Sequence, residues 1–252
     1  MALPAVLTAS SFNEIATQAA DARKANNVPR AIELYEQGLT LKPDWKQGLW
    51  YLGTLDYDSD RYAAGSKAFR RLVGLDAKAA PAWALLGLCE FETADYAKSL
   101  ADMERGISLG AAKEKQMGVV VLYHEALALT LTGKFDEALQ KYKVFVHAGA
   151  AKSQTMLLSI GAAALRAKLL PKNIQPAQQP LYLAAGKTAS LVLAGNYPQA
   201  GQSFADLLAR YPTARNVHYL YGEYMLARDI ATAIQQFRRE LQIDPDNIQA
   251  RT

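Results

Sequence analysis

The 252 residues contain one cysteine, Cys89, so no intramolecular disulfide can form and a cysteine-built zinc site is not expected. Histidine is scarce too: His124, His147 and His218 are the only three, spread over separate parts of the chain. His124-Glu125 starts like the helix of a zinc protease, but the position where a second histidine belongs is Ala128. No dense run of Lys or Arg occurs, so a formal charge of +4 does not point to nucleic acid or to an acidic membrane. Long apolar runs are missing as well. Residues 117–131 are interrupted by His124-Glu125 and residues 156–170 by Arg166. Both fall short of the roughly 20 residues that a membrane span needs, so both read as buried helices.

Two strings imitate ligand loops and fail on their own chemistry. DYDSD at 56–60 opens like a calcium loop, yet Arg61 stands where glycine is required and Lys67 where a bidentate glutamate belongs. Gly186-Lys187-Thr188 has Leu181, not glycine, five positions upstream, and lies within a predicted helix. No nucleophile and base stand out. The chain therefore reads as a non-enzyme with no cofactor, no metal and no catalytic residue.

What the sequence has is a period. Leu41, Leu75 and Leu109 are 34 residues apart, as are Tyr35, Phe69 and Met103, and Ala31, Gly65 and Ser99. Leu52-Gly53 recurs as Leu86-Gly87, and Tyr62 recurs as Tyr96. A fixed period of this length signals stacked units, and within each unit the apolar spacing is helical, with no strand-like alternation. Small residues are expected where two helices cross closely, and large ones between neighbouring units. In the third unit Thr93 and Asp95 are the candidate caps between its two helices. Further along, Phe135, Ala138 and Tyr142 continue the series after a step of 39, and Gly195, Tyr197, Ala200 and Phe204 follow after 62. The second step is two periods less six, so a degenerate unit lies between. Its first helix is expected in residues 153–168. Its second has shrunk into PKNIQPAQQP, where Pro171, Pro176 and Pro180 oppose a regular helix.

These residues resemble the tetratricopeptide repeat, with its Trp-x-x-Leu-Gly-x-x-Tyr first helix, Ala-x-x-x-Phe second helix and closing Pro. Ala31, Tyr35 and Pro43 carry the likeness in unit one, Leu52, Gly53 and Phe69 in unit two, and Trp83, Leu86 and Gly87 in unit three. The first-helix tyrosine is replaced by Asp56 and Glu90. The resemblance implies an all-α solenoid, a right-handed superhelix of antiparallel helix pairs with roughly 13 helices. After a flexible N-terminus (1–11), a single array over 12–252 is expected. Its units lie near 12–45, 46–79, 80–113, 119–152, 153–180 (degenerate), 181–214 and 215–247.

The resemblance also implies a function: a non-catalytic scaffold or adaptor, bacterial in style, holding a peptide or helix of a partner protein in a concave groove. Family groove positions fall on Trp50, Tyr57, Phe91, Tyr123, Tyr182 and Tyr219, with Asn13, Arg23, Gln47, Asn216 and Glu223 as polar neighbours. The Lys/Asn clamp for C-terminal carboxylates is absent, its positions being Ala16, Ala20, Tyr51 and Thr54. Two other readings stay open: the repeat region of a larger exported or envelope-assembly protein, and a carrier of a lipid or small hydrophobe in an apolar trough. MALPAVLTAS reads either as a frayed end of a cytoplasmic chain or as the remnant of a trimmed export signal, which would make the protein periplasmic or secreted. PDNIQART reads as the start of a further helix, so Ile234, Phe237 and Leu241 are expected to be partly uncovered. That end would then serve self-association or continue into more chain.

Overall fold

A computed structural model describes residues 11–113 and 115–251; the expected flexible N-terminus lies outside them except for Ser11. Among the described residues there are thirteen α-helices and no strand. They are α1 Phe12–Lys24, α2 Val28–Leu41, α3 Lys46–Asp58, α4 Tyr62–Leu75, α5 Ala80–Glu92, α6 Tyr96–Ser108, α7 Lys115–Thr132, α8 Phe135–His147, α9 Gln154–Ala164, α10 Gln179–Leu193, α11 Tyr197–Arg210, α12 Val217–Leu226 and α13 Ile230–Ile243. The chain divides into two compact units between Val121 and Leu122. No helix among the described residues is long and apolar enough to cross a membrane.

The helix ends follow from local chemistry. Ser11 and Glu14 form a reciprocal capping box at the start of α1. Asn27, Asn196 and Asp229 cap α2, α11 and α13 with their side chains. Five of the first helices, α1, α3, α5, α7 and α10, stop at a left-handed residue, at Asn26, Asp60, Ala94, Gly133 and Gly195. These five repeat the steps of 34, 34, 39 and 62 read from the side chains. At each, the next N–H reaches back five residues to close the turn, as Arg61 does to the Asp56 carbonyl (2.8 Å). Thr93 and Asp95 do not cap α6. The Thr93 hydroxyl bonds back to the carbonyls of Cys89 and Glu90, and the Asp95 carboxylate turns to Lys98 at 2.5 Å.

In the first unit the large periodic residues form the core: Tyr35, Phe69 and Met103 are all at most 1% exposed. Ala31 and Ser99 are fully buried where the paired helices cross, and the Ser99 hydroxyl bonds the Gly87 carbonyl at 2.8 Å. A Cβ on Gly87 would sit 2.8 Å from the Ser99 carbonyl oxygen, so the close crossing fixes that glycine. The periodic leucines behave differently. Leu41 and Leu75 end their helices and are 55% and 41% exposed, so their recurrence marks the turn and not the core.

The family's tyrosine position in α3 and α5 is filled by buried carboxylates. Asp56 lies 3.1 Å from Arg61 Nε, and Glu90 pairs with Arg70, which also binds Asp102 at 3.0 Å. Burial pushes Asp56 up to about 6, with Arg61 opposing. Burial and the neighbouring Asp102 push Glu90 up to about 7 against the pull of Arg70.

In the second unit α8 pairs with α7, and the buried Glu125 meets Lys141 at 2.7 Å. The helix expected over 153–168 is shorter, because Arg166 takes a left-handed φ of +52° and closes the turn after α9. The chain then runs as a strap, with one 3-10 turn at Pro171–Asn173, and α9 packs directly on α10. Gly161 and Gly186 permit this: a Cβ on either would lie 2.0 Å from a carbonyl oxygen of the other helix. α10 opens at Gln179, two residues before the expected boundary, and α7 begins at Lys115, four before its own.

Glu240, fully buried on α13, accepts from the N–H groups of Asn216 (2.7 Å) and Tyr219 (3.2 Å) and so caps α12 from outside its own helix. At the last helix Ile234 is 45% exposed beside Ile230 at 64%. Phe237 and Leu241 are partly covered, and the Phe237 ring lies 5.7 Å from that of Tyr219.

Candidate partner-binding sites

In each unit a concavity brings side chains singled out from the sequence together with others that were not. In the first unit α1 and α3 bound an open cleft of about 650 Å³. On α1 the clamp positions Ala16 and Ala20 put only small side chains in its lining. Asn13, Arg23 and Gln47 line it together with Trp45 and Tyr51. The Arg23 guanidinium lies 3.9 Å over the Tyr51 ring, and its Nε donates to the Tyr35 hydroxyl at 3.3 Å. No carboxylate pairs with it among the described residues. An arginine held flat on an aromatic ring without a counter-ion is set to receive an anionic group.

In the second unit a smaller pocket of about 380 Å³ is lined from α8, the end of α9 and the turn after it, α10, α11 and α12. Its back wall is Arg166, whose side chain is 12% exposed. The guanidinium meets Asp136 through both amino groups (3.1 and 3.4 Å) and donates to the Tyr219 hydroxyl at 3.3 Å. It also lies 5.2 Å from the Phe135 ring centre and 4.9 Å from that of Tyr219. Burial pushes the Tyr219 hydroxyl up to about 12, and burial with the charge of Asp136 raises Glu223. Arg228, which also lines the pocket, lies 4.4 Å from the Tyr197 ring centre and 4.0 Å from that of Tyr224. It donates to the Tyr224 carbonyl at 2.6 Å, and no carboxylate pairs with it among the described residues.

The eleven groove positions thus do not form one set. Asn13, Arg23 and Gln47 line the first cleft, and Tyr219 and Glu223 line the second pocket. Trp50, Tyr57 and Phe91 meet Phe69, Tyr62 and Tyr96 edge to face at 5.9, 5.6 and 5.3 Å. Of these Phe91 is buried, at 6% exposure, while Trp50 and Tyr57 are half-buried. Tyr123 bonds Ser159 at 2.9 Å, and Tyr182 is buried in the core of the second unit. Asn216 is engaged by Leu165, Glu240 and Asn247.

Arg166, Arg228, Asp136, Tyr197 and Tyr224 were not among the groove positions that the resemblance implied. One signal existed for the first: Arg166 follows Gly133 by 33 residues, at the turn position where the other units use Asn, Asp, Ala or Gly.

No curated protein matches the chain. Among solved structures it is similar to two entitled as MamA. One is 17% identical with a TM-score of 0.53, covering 80% of this chain and 92% of its own. The other is 19% identical with a TM-score of 0.51, covering 70% and 96%. A tetratricopeptide repeat protein from Parabacteroides merdae is 15% identical with a TM-score of 0.49, covering 95% and 96%. The tetratricopeptide repeat family profile matches residues 52–113 and 190–248, one stretch on either side of the irregular region. With the family profile matching on both sides of the irregular region and thirteen helices among the described residues, the chain is a tetratricopeptide repeat protein.

Proposed function

We propose that the chain is a non-catalytic scaffold that holds a segment of a partner protein against its repeat helices. On this reading Asn13, Arg23 and Gln47 face the partner in the first unit, and Tyr219 and Glu223 in the second. The observation that carries it is the α1–α3 cleft. Small alanines leave room for a backbone, Trp45 and Tyr51 offer apolar flanks, and Arg23 stands ready without a carboxylate. Aromatic and arginine side chains are the types that most often anchor interfaces.

The test is capture of partners from a lysate of the source organism by three forms of the full chain. These are the unaltered protein, Arg23→Ala with Gln47→Ala, and Gln37→Ala with Lys67→Ala on exposed positions of α2 and α4. A protein captured by the first and third but lost from the second, at unchanged helical content, is the expected result. Equal capture by all three would overturn the cleft as the binding surface.

A further inference from the structure

The pocket of the second unit has a shape and a charge pattern that narrow what enters it. The pocket, at about 380 Å³, has room for side chains that reach into it from a segment lying across its mouth. Ala164, Ala189, Phe204 and Leu220 contribute apolar lining, and a polar head placed on them would lose its water without gaining a hydrogen bond.

The two arginines of the lining differ in what they meet. Arg166 is already matched by Asp136, and Glu223 lies beside the Tyr219 hydroxyl. At the rim Arg228 has no carboxylate among the described residues, and it is already held between two tyrosine rings. Little side-chain entropy remains for it to lose on meeting an anion. Tyr197, 48% exposed, leaves that rim open to solvent. Arg166 adds a separate observation. A large residue in the left-handed region carries backbone strain, and this strain delivers the cation that forms the back wall.

We infer that this pocket seats an aromatic side chain of a partner segment, and that Arg228 receives the carboxylate of an acidic residue next to it. The inference rests on the scaffold reading above and names the chemistry of one of its docking points.

Three blocked synthetic pentapeptides test it against the full chain by calorimetry or NMR titration. They carry a phenylalanine between two glutamates, a phenylalanine between two lysines, and an alanine between two glutamates. The first binds at least tenfold more tightly than either of the others. Arg228→Glu, at an exposed position, reverses the preference between glutamate and lysine flanks. Ala164→Leu, which narrows the pocket, weakens the first peptide to the level of the alanine peptide; should that variant lose helical content, Arg228→Glu decides alone. Equal or tighter binding of the lysine peptide, no binding of the glutamate peptide at millimolar concentration, or an unchanged preference in Arg228→Glu overturns the inference. If partners are still lost from the Arg23 and Gln47 variant while the glutamate peptide fails, the scaffold reading stands and this docking point falls.

Discussion

At the scale of single residues, departures from the repeat pattern carry the most chemistry. Asp56 and Glu90 occupy a position where the family has tyrosine, and each buries a carboxylate against an arginine. Their folded-state values, about 6 and about 7, lie above the ordinary 3.8 and 4.5. Between those limits the folded chain binds more protons than the unfolded one. Their contribution to stability is therefore full below pH ~4 and is lost as pH rises through ~7. A tenfold difference in proton affinity between folded and unfolded chain corresponds to about 1.4 kcal/mol, so the two groups together change stability by a few kcal/mol over that window. Denaturant midpoints measured from pH 4.5 to 7.5 should fall with pH, and Asp56→Asn with Glu90→Gln should remove most of that slope. A slope unchanged in the double variant would mean that neither group is protonated in the folded chain at mild acidity.

The same scale explains what could be read in advance. Tyr35, Phe69 and Met103 recur because a buried position in a stacked unit tolerates few shapes, so the sequence displays it. In the sequence Arg166 shows as an interruption in an apolar run and as a step of 33 from Gly133, and neither reveals its role. Its role depends on Asp136, thirty residues upstream, and Tyr219, fifty-three downstream, and no local pattern joins them.

At the scale of elements, the degenerate unit is the informative one. Prolines at 171 and 176 fall in the strap, where no regular second helix forms, while Pro180 sits in the first turn of α10, where proline is tolerated. That α9 would then lie on α10 at a glycine crossing is not a local property. It needs Gly161 and Gly186, 25 residues apart, to meet face to face. Gly161→Ala forces a methyl group against the Tyr182 carbonyl and should cost about 3 kcal/mol or more. Gly201→Ala is the control, since its added carbon would meet only the Tyr224 hydroxyl at 3.8 Å. Within α11 that change should be neutral or stabilise by up to about 1 kcal/mol. Equal unfolding midpoints for the two variants would show that the helices separate without penalty. The external cap on α12 is a similar case: nothing in the sequence singles out Glu240, which is buried by the packing of α13.

At the scale of the whole molecule, stability in a repeat array is a sum of unit terms and nearest-neighbour terms. Phe69 and Phe204 are fully buried, one in each compact unit. Phe204→Ala should cost about 3–5 kcal/mol. Its effect on amide hydrogen exchange should be concentrated in α10, α11 and α12, leaving α2, α3 and α4 nearly as protected as before. Equal acceleration throughout would mean that the chain opens as one cooperative body.

The sequence by itself determined the all-helical class, the phase of the units, the residues at the helix crossings and the place where the repeat decays. These are set by steric demands that recur at fixed spacing, and recurrence is visible without coordinates. Tertiary structure decided which groove positions are open and which are spent in packing. It decided which carboxylates are buried, and it created the pocket where Arg166 and Arg228 come within reach of the same cavity. Those outcomes depend on side chains far apart in the chain, each meeting its partner once, and a single meeting leaves no period to read.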